Sequence, residues 1–134
     1  MISPQEALVY TMVAAAESDR EIADTEINLI GDLVNHLPIF KGVDRAATTE
    51  MAVRGSHLLE QAGGSDQVFG LIRQALPMPL RETAYALACD VIAVDSLLNR
   101  AEMRMLDKIR AQLQVDPAMA RAIERFAEVR FKAA

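Results

Sequence analysis

Residues 81–113 read RETAYALACDVIAVDSLLNRAEMRMLDKIRAQL and contain two apolar-rich runs separated by a short break around Asp95. The first run predicts a helix over about 80–94. Because this helix is apolar on nearly every side after its first turn, we expect it to be central and buried. The second run predicts an amphipathic helix over about 100–113. The two together form a helical hairpin.

A second hairpin of the same kind is predicted around Asp19, 76 positions earlier in the chain. Its first helix starts at Ser3-Pro4-Gln5-Glu6, which combines an N-cap serine with a proline and a capping glutamate, and runs to about Ser18. Its second helix covers about 24–37 and ends before Pro38. When the two hairpins are aligned on their aspartates, their apolar positions coincide.

The rest of the chain contains signals for three more helices. Asp44 is predicted to cap a helix that reaches about Ala62, and Ser65 to cap a shorter one that ends near Leu76. Asp116 and Pro117 begin the last. Neither an alternating strand segment nor a linker interrupts the sequence. We therefore predict an all-α fold, a single compact domain over residues 1–134 with about seven helices and a duplicated helical hairpin.

Composition supports this class and excludes others. Of the 134 residues, 51% are hydrophobic and only 4% aromatic, which favours helices over sheets. The net charge of -5 makes nucleic acid an improbable partner. Cys89 is the only cysteine and is expected to be a small core residue. The first residues lack the basic region of a signal peptide, and the longest apolar stretch is about half a membrane span. We expect a cytoplasmic protein without a membrane span.

Both hairpins carry an acidic pair with the same spacing across the helix break. Asp19 and Glu26 stand seven residues apart, as do Asp95 and Glu102. A carboxylate at a helix C-terminus is unfavourable, so helix physics does not explain the two aspartates. A hard cation such as Ca²⁺ or Mg²⁺, bound by oxygen ligands, does explain them. The alternative is that each aspartate accepts hydrogen bonds from its own turn.

The two glutamates also have a purely structural interpretation, because negative charge is favourable in the first turn of a helix. Asn99 and Glu102 have the spacing of a capping box. At the first corner Ala23 stands in the place of Asn99, and Asp24 is the candidate cap. The predicted metal site therefore comprises Asp19, Glu26, Asp95 and Glu102, with the aspartates as its more informative members.

The two corners, AAESDREIADTE at 15–26 and IAVDSLLNRAE at 92–102, resemble the TerB-like family of tellurite-resistance proteins. This resemblance implies an all-α domain with duplicated hairpins, from a bacterial stress-associated protein, whose acidic residues have been proposed to bind metal. At the corners the family often has Asp-Gly, whereas here Arg20 and Ser96 follow the aspartates. Arg20 places a cation beside Asp19, which competes with a metal there.

Three functions follow from these observations. The first is a non-enzymatic, cytoplasmic TerB-like module of a stress or tellurite/metal-response system, with protein partners in a stress-response complex and a divalent cation at its acidic corners. The second is a metal-independent scaffold for protein–protein interaction. The third is a small acid–base hydrolase, for which the sequence offers carboxylate pairs but no nucleophile motif. The oligomeric state and the physiological ligand stay open.

Overall fold

A computed structural model describes residues 1–16, 22–94 and 100–132, apart from the side chain of residue 101. These residues contain α-helices and a short 3-10 helix at Pro38–Phe40, and they include no β-strand, which confirms the predicted all-α class. None of the helices in this part of the chain is both long and apolar enough to cross a membrane. The α-helices are α1 (Pro4–Ala16), α2 (Asp24–Val34), α3 (Arg45–Glu60), α4 (Gly64–Ala75), α5 (Met78–Ala93), α6 (Arg100–Leu113) and α7 (Pro117–Arg130).

The centre of the fold is the pair formed by α1 and α5. Every residue from Ala7 to Ala16 is buried, so α1 has no solvent-facing side over most of its length. It packs most extensively on α5 and also contacts α2, α3, α4 and α6. α5 is largely buried as well, as its apolar sequence predicts, and Cys89 lies in its core with only 3% of its surface exposed.

Close approach between α1 and α3 depends on Gly55. A Cβ atom at this position would lie 2.8 Å from Cδ1 of Tyr10, well inside van der Waals contact. The Tyr10 ring is buried, and its hydroxyl donates a hydrogen bond to Glu6 Oε2 at 2.5 Å. The same carboxylate accepts from Arg54 Nε at 2.9 Å. Glycine therefore allows α3 to lie directly over a ring whose hydroxyl is bound to Glu6.

The turn between α3 and α4 corrects one predicted cap. Ser65 is the second residue of α4, and the N-cap is Gly63, whose φ of 71° is left-handed. Glycine adopts this conformation without steric cost. At Gly64 a Cβ would meet the Leu58 carbonyl oxygen at 2.0 Å. The two glycines are thus needed for different reasons, one for its dihedral angle and the other for close backbone packing.

Two other helix boundaries differ from their predicted positions. α2 ends at Val34, three residues before the predicted Leu37, and Pro38 starts the 3-10 helix that follows. α5 begins at Met78, with Pro77 as N-cap, earlier than the predicted Leu80. Pro79 is the second residue of α5, and a proline is tolerated there because it is within the first turn of the helix. α6 has its predicted bounds, and α7 starts after the predicted Asp116 cap.

Candidate functional site

The predicted corners lie between α1 and α2 and between α5 and α6. Asp19 and Asp95 are within 17–21 and 95–99, outside the described residues. Glu26 and Glu102 are described, and each is the third residue of the helix that follows its corner. Both glutamates are half-buried. α2 and α6 thus begin 76 positions apart, the same offset that relates the acidic pairs.

Glu26 has a structural role at the start of α2. Its Oε1 accepts a hydrogen bond from the backbone N–H of Ala23 at 3.1 Å. Ala23, with φ -87° and ψ 157°, is the N-cap, so the candidate cap Asp24 is instead the first helical residue. The carboxylate therefore satisfies one backbone group at a helix end that lacks a side-chain cap. Glu26 performs the reach-back half of a capping box, which the sequence indicated only for Glu102.

Packing brings the helices of the two hairpins together. α1 contacts α2 and α6, and α5 contacts α6 and α2, so each hairpin lies against the other. Ile30 on α2 and Leu106 on α6, which coincide in the alignment of the hairpins, are both buried. These contacts and the common helix starts agree with a duplicated hairpin, which stays a prediction.

No group of three or more His, Cys, Asp or Glu side chains in residues 1–16, 22–94 and 100–132 is placed to hold a metal ion. The predicted set of Asp19, Glu26, Asp95 and Glu102 has two members outside those ranges, so it remains a prediction. His36 and His57 are both exposed, as expected for surface residues.

Sequence reasoning missed a cleft of about 100 Å³ between α6 and α7, which both pack on α5. Its floor consists of apolar and small side chains from all three helices. Its rim carries carboxylates from α6 and α7. The floor residues are Cys89, Ala93, Leu106 and Ala127, and the rim residues are Met103, Asp107, Glu124 and Glu128. The one available signal was the pair of glutamates four residues apart on α7, which share a helix face.

Polar groups next to the residues that line the cleft are held by a hydrogen bond and an ion pair. The Tyr85 hydroxyl donates to Glu124 Oε2 at 2.6 Å. Burial, together with that hydrogen bond, raises the pKa of Tyr85. Asp90 forms an ion pair with Arg130, which ties α5 to α7. Burial raises the pKa of Asp90, and the Arg130 charge acts in the opposite direction.

The thiol of Cys89 is unsuited to nucleophilic chemistry. Burial, reinforced by the negative charge of Glu124, raises its pKa to about 12. Since the thiolate is the reactive form, the thiol is inert at neutral pH. The cleft therefore has the chemistry of a binding surface, with an apolar floor and an acidic rim.

Comparisons with known proteins identify no relative: no family model matches the chain, and no curated protein or solved structure matches it significantly. The TerB-like assignment consequently rests on the corner motifs alone.

Proposed function

We propose that this chain is a non-enzymatic, TerB-like helical module of a stress or metal-response system, whose acidic corners bind a divalent cation. One observation carries the proposal: an aspartate at each helix break is followed, seven residues later, by a glutamate at the third position of the next helix. A carboxylate just beyond a helix C-terminus is disfavoured by the helix dipole, and a bound cation reverses that preference.

The proposal is tested by calorimetric titration with Ca²⁺, Mg²⁺, Mn²⁺ and Zn²⁺. We expect binding heat from the wild type and its loss in Asp19→Asn/Asp95→Asn. The matched control is Glu50→Gln/Glu60→Gln, which removes two carboxylate charges from exposed positions on α3. The proposal is wrong if the wild type gives no more heat than the corner variant, or if the α3 control loses the same heat.

Glu26→Gln separates the structural role of this residue from a ligand role. The glutamine side-chain oxygen can still accept from the Ala23 N–H, so the cap is retained while the charge is lost. We expect a melting temperature close to that of the wild type and a weaker affinity for the cation. An unchanged affinity would remove Glu26 from the site.

Exposed apolar side chains favour a second candidate function, a metal-independent scaffold. Met103 on α6 is 55% exposed, and Phe126 and Val129 on α7 are 67% and 55% exposed. Phe126 and Val129 are three residues apart and share a face of α7, and neighbouring exposed apolar groups are typical of protein interaction sites. If the protein is such a scaffold, the corner aspartates only form turns. The substitutions Asp19→Asn/Asp95→Asn then lower the melting temperature equally with and without cations. A cation-dependent rise in melting temperature, seen for wild type only, contradicts it.

A further inference from the structure

The cleft exists because α6 and α7 both pack on α5 without packing extensively on each other. Between them the floor is made of small side chains. Cys89, Ala93 and Ala127 are too short to fill the space, and Met103 projects at the edge with more than half of its surface exposed. The result is an apolar groove that is open to a ligand side chain.

The charged side chains that line this groove are all acidic. Asp107, Glu124 and Glu128 are on its rim, and none of the described residues that line it is Lys, Arg or His. Two arginines of α7 lie close by. Arg130 pairs with Asp90, the residue that follows Cys89 in α5. Arg125 pairs with Glu128 at 3.3 Å, and both side chains of this pair are more than half exposed. Exposed ion pairs are weak, so a ligand cation can replace Arg125.

We propose that this cleft binds an arginine side chain presented by a segment of a partner protein. The aliphatic stem of arginine covers an apolar floor while its guanidinium stays at the polar edge. The planar guanidinium donates to carboxylates in a bidentate manner, which suits a rim with carboxylates on two helices. The proposal does not rest on a cation at the corners.

The size of the cleft selects a protein segment over a free metabolite. Small-molecule pockets measure about 300–1,000 Å³ and enclose most of the ligand. At about 100 Å³ this cleft has room for a single side chain. The exposed edge of Met103 adjoins it, so the residues next to the arginine have an apolar surface to contact.

The test is an NMR titration of the ¹⁵N-labelled full chain with acetyl-Leu-Arg-Leu-amide. We expect shifts concentrated at the amides of residues 89, 93, 103, 106 and 127. Acetyl-Leu-citrulline-Leu-amide has the same shape without the charge. Its affinity should be lower by a factor of about ten or more. The proposal is wrong if the citrulline peptide binds with the same affinity as the arginine peptide, or if the shifts spread over other acidic surfaces. If n-butylguanidine binds with the same affinity as the arginine peptide, the ligand is a small molecule and not a protein segment, which also contradicts the proposal.

Two variants examine the charge and the groove separately. Glu124→Gln/Glu128→Gln removes two rim charges, and its amide at 124 can still accept from Tyr85, so we expect about tenfold weaker binding with the fold intact. Glu50→Gln/Glu60→Gln on α3 is the matched control and should bind normally. Ala93→Leu fills the groove without a change in charge and should abolish the localised shifts. Normal binding by either cleft variant contradicts the proposal.

Discussion

Substitution of Gly55 by alanine tests the close packing of α3 on α1. In the interior of a helix alanine is favoured over glycine by about 1 kcal/mol, so the change would stabilise the protein if space were available. At Gly55 the new Cβ lies 2.8 Å from the Tyr10 ring. Ordinary carbon–carbon contacts are about 3.5–4.0 Å, so the ring or the helix must shift by roughly 0.7 Å.

The Tyr10 ring has little freedom to make that shift, because it is 2% exposed and its hydroxyl is bound by Glu6. Overpacking of a core costs about 1–3 kcal/mol, which outweighs the helix-propensity gain. We expect Gly55→Ala to lower the free energy of unfolding by about 1 kcal/mol. Gly70 on α4 is the matched control, since a Cβ there meets nothing within 4 Å. Gly70→Ala should raise the free energy of unfolding by about 0.5–1 kcal/mol.

Urea unfolding followed by far-UV circular dichroism measures both variants against the wild type. The informative quantity is the difference between the two substitutions, expected to be about 2 kcal/mol, because both gain the same helix propensity and only one meets a ring. If Gly55→Ala stabilises the protein as much as Gly70→Ala does, the proposed contact between α3 and the Tyr10 ring is wrong.

Three further predictions concern single groups. Because the pKa of Cys89 is about 12 rather than the ordinary 9.0, its alkylation at neutral pH should be on the order of a thousandfold slower in the native than in the urea-unfolded protein; equal rates refute this. Burial opposes ionisation of Glu6, but Arg54 and Tyr10 outweigh it and lower its pKa below 4.5. Its stabilising contribution is therefore present above about pH 4.5 and lost as the pH falls through the folded pKa, so the stability difference between wild type and Glu6→Gln should shrink on acidification. Asp44→Ala and Asp116→Ala each remove a side-chain N-cap and should cost about 1 kcal/mol in urea unfolding, whereas a cost near zero contradicts the observed caps.

Helix positions were predictable where one residue carries an unambiguous signal. Asp44 and Asp116 cap the helices predicted for them, since an aspartate before a helix satisfies free N–H groups whatever surrounds it. The Ser65 cap was wrong because the α3–α4 turn is so tight that Gly64 lies against the Leu58 carbonyl. Local propensity contains no information about such a tertiary contact, and neither does it show how closely Gly55 meets Tyr10.

The corner glutamates could be located from the sequence, whereas the cleft could not; that the corners bind a metal stays a prediction. Sequence spacing located Glu26 and Glu102, and the structure places each at the same position of its helix. The cleft has no local signature, because its floor and rim come from three helices and its emptiness depends on α6 and α7 lying apart on α5. Pairs such as Tyr85 and Glu124 are 39 residues apart and become neighbours only through packing.

The burial of α1 from Ala7 to Ala16 has a consequence for the order in which the protein can fold during synthesis. Its principal packing partner, α5, follows α2, α3 and α4 in the chain, so the ribosome releases α1 well before α5 exists. During that interval the apolar surface of α1 that packs on α5 is exposed. Exposed apolar surface is the condition under which nascent chains aggregate or require chaperones. Contacts between distant segments also slow folding relative to bundles of sequential neighbours. The helix that is made first is thus among the last to be fully enclosed.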